Sequence, residues 1–176
     1  TAAFTLRFRG ARPVQYRPVG QGGYPVLYFR GPGSAPRITA LRVEAVCTAG
    51  LYPGVELTWR THSGALEYEL RLAAGTDPAT VRLEWPGADR IELLGSGGAR
   101  IWRGRAWLEQ QRPRAYQSIG GTQVPVPIQF RVLGSNVLGF DLGNYDASQP
   151  LLIDPIIQLS HGLGGSGLDE IRALAV

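Results

Sequence analysis

Methionine and lysine are both missing from this chain of 176 residues, and cysteine occurs once. A single cysteine, Cys47, excludes an internal disulfide and any zinc site built on several cysteines. Without methionine, Thr1 is not a translation start, so the chain reads as processed or as a fragment. With no lysine, the 18 basic residues are all arginine, set against 14 acidic ones for a net charge of +4. They stand singly among apolar residues instead of clustering, which argues against a nucleic-acid partner. Long apolar runs are absent too. Segments such as Leu151–Ile153 and Pro155–Ile157, interrupted by Asp154, fall far short of the roughly 18 residues of a membrane helix.

What is present points to strands. Hydrophobic residues make up 44% of the chain, enough for a packed core, while 24 Gly and 13 Pro leave little room for long helices. Apolar residues recur with period two. Phe4, Leu6 and Phe8 alternate with Thr5 and Arg7; Leu41, Val43 and Ala45 with Arg42 and Glu44; Leu66, Tyr68, Leu70 and Leu72 with Glu67, Glu69 and Arg71; Val81, Leu83 and Trp85 with Arg82 and Glu84. From Val124 to Phe130 one alternating strand is expected. Pro125 and Pro127 on its other face cannot donate to a ladder, so it should lie at an edge or carry a bulge. Turn signals such as Tyr52-Pro53-Gly54, Pro86-Gly87 and Gly120-Gly121 separate the runs. Asp77-Pro78-Ala79-Thr80 reads as a single helical turn. The expectation is an all-β, antiparallel, sandwich-like domain over residues 1–157, with a Gly-rich connector and an extra strand over 158–176.

The chemistry-bearing residues read mostly as structural. Gly162, Gly164 and Gly167 spell a dinucleotide-loop pattern, but too little chain follows to build the βαβ unit that such a loop opens, so no cofactor is expected. His62 and His161 stand far apart, each beside a turn, with no carboxylate at metal-ligand spacing. Asp141, Asp146 and Asp154 match no calcium-loop spacing, and Asp146 reads as a turn cap, so no metal site is expected. Glu67 and Glu69 leave the same face of a strand, an arrangement open to glycoside hydrolysis. Their alternation with Leu66, Tyr68 and Leu70 makes them instead the wet face of an amphipathic strand, and no catalytic residue is assigned. Cys47 reads as a small buried hydrophobe. The four tryptophans, Trp59, Trp85, Trp102 and Trp107, read as core side chains, with a sugar-binding platform as the alternative.

Seven dispersed segments carry a resemblance. They are Leu51–Leu57, Gly64–Leu70, Ala74–Pro78, Gly87–Arg90, Gln111–Gln117, Gly139–Asp146 and Pro150–Pro155. In that order they resemble the domain that precedes the repeats in bacterial SBBP-repeat (β-propeller repeat) proteins. Leu163–Glu170 and Ala173–Val176 are similar to the opening of the first repeat. The resemblance covers residues 50–176 well and residues 1–49 more loosely, around Leu27–Gly31. It implies a secreted or surface-attached protein, with no catalytic residues to carry over. Such proteins usually have further strands before the point where this chain begins, and they run on into many repeats.

A lone part of a propeller blade cannot bury its own face, so the expectation is a body short of strands at its start, with a surplus strand at its end. The expected function follows from that mismatch. It is a non-enzymatic extracellular or cell-surface structural module, a homo-oligomer or filament subunit joined by strand addition. Its tail strand should dock on a neighbouring copy through Leu168, Ile171, Leu174 and Val176. The alternative is an adhesive module that binds surface glycans and precedes a β-propeller.

Overall fold

The computed structural model describes residues 4–28, 38–62, 65–158 and 171–173. In chain order the strands are β1 Phe4–Phe8, β2 Arg17–Tyr28, β3 Ile38–Tyr52, β4 Val55–His62, β5 Ala65–Leu72, β6 Leu83–Glu84, β7 Arg90–Leu93, β8 Ala99–Arg103, β9 Ala106–Gln110, β10 Arg114–Ile119, β11 Thr122–Val126, β12 Ile128–Gly134, β13 Val137–Leu142, β14 Leu151–Asp154, β15 Ile156–Gln158 and β16 Ile171–Ala173. The single helical turn falls where the sequence put it. Pro78–Thr80 forms a 3₁₀ turn capped by Asp77, whose Oδ1 accepts from the Ala79 N–H at 2.9 Å.

The fold is all-β and sandwich-like, and its sheets do not close into a barrel. The smaller sheet runs β12-β13-β6-β1-β16. All its pairings are antiparallel except β1 with β16, which is parallel. In the larger sheet β5 is the hub. It pairs along its whole length with β4, which continues to β3 and β2. On its other edge β5 pairs with β14 and then β15 in one register, Ile153 opposite Leu70 and Ile156 opposite Glu67. Pro155 separates these two halves. Having no N–H, it cannot complete the ladder there, and only its carbonyl is used, accepting from Tyr68 N at 3.4 Å. The sheet forks at this break: β14 continues to β10 and β11, β15 to β9, β8 and β7.

The expected single strand from Val124 to Phe130 is in fact two. β11 is the edge of the larger sheet, β12 is the edge of the smaller one, and exposed Pro127 sits between them. The prolines hold the segment at an edge as expected. The chain also changes sheets there, so Val126 and Ile128 are buried while Val124 is exposed. Cys47 differs from expectation as well. It faces outward on β3 opposite Thr58 and is half-buried, whereas its neighbour Thr48 takes the inward position.

The core lies between the sheets. The apolar sides of the alternating runs meet there: Phe4, Leu6, Phe8, Leu83 and Trp85 from the smaller sheet, Leu57, Tyr68, Leu70, Ile101 and Leu108 from the larger. The Phe8 ring stands edge-on to Tyr68 at 6.1 Å and to Trp59 at 6.2 Å, a geometry that adds about 0.5–1.5 kcal/mol per pair beyond simple burial. The Tyr68 hydroxyl is fully buried and accepts from Gln110 Nε2 at 2.9 Å. At the rim, Tyr52 donates to the Arg9 carbonyl at 3.0 Å and so ties the end of β3 to the end of β1. Gln117 holds the connection to β14: its Nε2 donates to the Asp146 carbonyl at 2.7 Å and its Oε1 accepts from the Asp146 N–H at 2.9 Å.

Two predictions test this packing. Gly54, in the turn between β3 and β4, has φ of 75°, and a Cβ there would collide with the Thr76 hydroxyl. Gly54→Val should therefore lower the unfolding free energy by about 1–3 kcal/mol, read from denaturant midpoints. The second concerns alkaline pH. Burial pushes the Tyr68 phenol far above its usual range, only partly opposed by the Gln110 hydrogen bond, and burial also raises Tyr52. The unfolded chain ionises these phenols near pH 10 while the folded chain keeps Tyr68 protonated. Stability should thus be complete below pH about 10 and fall above it, by up to about 1.4 kcal/mol per pH unit for Tyr68. Denaturant midpoints between pH 8 and 11 should show this slope, and Tyr68→Phe should flatten it.

Candidate functional site

The β7–β8–β9 meander puts an ordered polar and aromatic array on the outer side of the larger sheet. Its inward positions are Ile91, Ile101 and Leu108, so the residues between them must face out. The register aligns them in two rows: Arg90, Trp102 and Trp107 in one, Glu92, Arg100 and Glu109 in the next. The Arg90 guanidinium lies 4.4 Å from the centre of the Trp102 ring. That of Arg100 lies 4.1 Å from Trp107 and 5.8 Å from Trp102. The two indoles are 6.3 Å apart and tilted by 50°. Trp102 Nε1 donates to Glu92 at 2.9 Å, and Arg100 pairs with Glu109 at 3.2 Å. Gly104, with φ of 59°, closes the tight β8–β9 turn, and its N–H donates to the Asp89 carboxylate.

The other candidate residues are dispersed. Glu67 and Glu69 lie on the outward face of β5, as their alternation implied. Glu69 pairs with Arg60 at 3.4 Å, and Glu67 is the cross-strand neighbour of Arg60. Asp154 comes beside Glu69 on this face, with Arg114 as its neighbour on the far side. Asp141 accepts from Gln129 Nε2 at 3.0 Å on the other sheet. Asp146 accepts from both the N–H and the hydroxyl of Ser148, at 2.9 and 2.7 Å, and these bonds hold its carboxyl below the usual carboxylate range. It is the turn cap that the sequence suggested. No group of three metal-ligating side chains occurs among the described residues. A groove of about 630 Å³ beside Tyr116, Pro125 and Ile156 is lined by Arg112 and Arg114 but by no carboxylate. His161 lies outside the described residues.

The tryptophans divide. Trp85 is fully buried and Trp59 packs on the core, as expected. Trp102 and Trp107 are half-buried on the outer face, against expectation. A signal for this was present. In Arg100–Glu109 the order Arg-x-Trp, tight turn, Trp-x-Glu is symmetric about Gly104-Arg105, so a hairpin stacks Trp on Trp and Arg on Glu on the same face.

The outer edge of β1 is the second candidate surface. Residues 171–173 of β16 lie parallel to it, with Phe4, Thr5 and Leu6 opposite Ile171, Arg172 and Ala173. The sequence leads one to expect this segment to pair outside the chain's own body. β1 supplies a partner instead, with the backbone of 171–173 paired within the same chain. Leu168, Leu174 and Val176 lie outside the described residues.

Residues 1–156 match the family model of DUF7948, a domain of unknown function. The chain belongs to that family. Neither the curated proteins nor the solved structures give a match. The DUF7948 match contains the whole Arg–Trp array and the β1 edge, and it ends at the first residue of β15. β16, which covers that edge, comes from beyond it.

The array should be energetically coupled. A double-mutant cycle on Arg90→Ala and Trp102→Ala, read by chemical unfolding, should give a coupling of about 0.5–1 kcal/mol, as for cation–π pairs at exposed sites.

Proposed function

We propose that the chain is a non-enzymatic structural module of the extracellular space or cell surface, which assembles with copies of itself by strand addition at the β1 edge. The pairing of β16 with β1 carries this reading. An uncovered β1 would present a row of free backbone donors and acceptors beside the buried Phe4, Leu6 and Phe8, the kind of edge that recruits another strand. The strand that covers it follows β15 after residues 159–170. The same backbone pairing forms when the strand comes from a second copy, which is domain swapping. One-way exchange leaves each copy with a free acceptor or donor and propagates as a filament. The resemblance to the domain preceding SBBP repeats supports the reading further. There the tail is the opening of a repeat, a segment whose pairing partners normally lie outside its own domain.

The test compares the full chain with one that ends at residue 158. The full chain should form oligomers or filaments that grow with concentration, seen by light scattering and negative-stain microscopy. The truncated chain should stay folded, since its described core ends at Ile157, should be monomeric, and should bind an added peptide of residues 168–176. A truncated chain that still assembles, or a full chain that stays monomeric at every concentration, would overturn the proposal.

A further inference from the structure

We infer that the outer face of the β7–β8–β9 meander is a binding site for acidic polysaccharides, specifically chains that carry uronic-acid carboxylates. The inference is independent of strand exchange and rests on which groups of the array are already engaged. Each carboxylate of the meander has an internal partner: Glu109 pairs with Arg100, Glu92 accepts from Trp102, and Asp89 accepts from the Gly104 N–H. Among the described residues, Arg90 and Arg105 have no carboxylate within ion-pair distance, and both are exposed. The neutral N–H partners of Asp89 and Glu92 engage these carboxylates without cancelling their charge, so what this face offers a ligand is the unpaired guanidinium donors of Arg90 and Arg105 and not a net positive field.

The form of those donors matters. Arg90 lies over Trp102 with its Cζ 4.4 Å from the ring centre, and a guanidinium that lies flat on an aromatic ring keeps its in-plane N–H groups free. Those donors form a fork that fits a planar carboxylate with two parallel hydrogen bonds. Stacking also fixes the side chain before a ligand arrives, so less rotamer freedom is lost on binding. Trp107, next in the same row, has no hydrogen-bond partner for Nε1 among the described residues and is half-exposed. Its indole edge can donate to a sugar hydroxyl while its ring gives an apolar surface beside the sugar. The Arg90 guanidinium and the Trp107 indole edge, in one row of the sheet, suit a ligand that alternates carboxylates with pyranose rings. Nucleic acid fits less well. The Trp102 ring already carries two guanidinium groups, at 4.4 and 5.8 Å from its centre, which disfavours stacking of a base on it.

The experiment measures binding of the full chain to polygalacturonate, neutral dextran and single-stranded DNA at fixed ionic strength. Polygalacturonate should bind, and dextran and DNA should bind at least about tenfold more weakly. Arg90→Ala should weaken polygalacturonate binding by about 10- to 100-fold, the worth of one charge-assisted bidentate contact. Arg90→Lys should restore little of it, because lysine keeps the charge but lacks the fork. Trp107→Ala should weaken binding as well. Arg105→Ala, at the exposed turn, gives a second variant that leaves the stacked array intact. Arg131→Ala, on the exposed side of β12, removes the same charge elsewhere and should leave affinity within about twofold. Thermal melts and particle size, unchanged among the variants, separate loss of ligand from loss of fold or assembly. The inference is overturned if polygalacturonate does not bind, if DNA binds as well, or if Arg131→Ala costs as much as Arg90→Ala.

Discussion

The edge-on contact between Phe8 and Tyr68, 6.1 Å between ring centres, lies within the core that joins the two sheets, and it connects the strands that carry the two candidate surfaces. Phe8 closes β1, the strand whose outer edge accepts β16. Tyr68 lies in the middle of β5, the hub of the larger sheet. Tyr68 brings a hydroxyl into the core along with its ring, and a buried hydroxyl without a partner is costly. Gln110, at the end of β9, supplies that partner at 2.9 Å. This bond ties β9 to β5 in addition to the ladder through β15, and β9 carries Trp107 and Glu109 on its other face. A chain of three side chains thus links the strand-accepting edge to the Arg–Trp array.

The fork in the larger sheet is the second organising feature. A continuous strand beside β5 would have offered one partner on its far side. Pro155 breaks the ladder without shifting its register, so the halves can turn toward different neighbours. β14 leads to β10 and β11 and hence, through Pro127, to the smaller sheet. β15 leads to the meander that bears the array. Proline therefore acts twice as a switch, each time because it cannot donate a hydrogen bond. At Pro155 it splits a sheet, and at Pro127 it moves the chain from one sheet to the other.

The outward faces of the larger sheet differ in character from place to place. Around β4 and β5 the side chains are charged and mutually compensating, with Arg60 beside Glu67 and Glu69, so that region is a solvated face. Around β7, β8 and β9 the arginines are stacked on indoles and only some of them are neutralised. Exposed ion pairs contribute little to stability, whereas stacked guanidinium groups are held in place and remain available as donors. It is this difference in arrangement, not the count of charges, that distinguishes the two parts of the face.

Much of this was legible in the linear sequence because the governing rule is local. In a strand, side chains alternate between two faces, so Phe4, Leu6 and Phe8, or Tyr68, Leu70 and Leu72, declare their burial without knowledge of any neighbour. Gly54 and Asp77 likewise declare a turn and a cap, since positive φ and side-chain capping involve only adjacent residues. Pairing is not local, and there the sequence was silent or misleading. Alternation alone could not tell that Val124 and Phe130 belong to different sheets, that Trp102 and Trp107 stack outside the core, or that residues 171–173 run beside β1. Each of these depends on which strand lies next door. Period two assigns a residue to a face, but only the assembled sheets decide whether that face meets the core, the solvent or another strand.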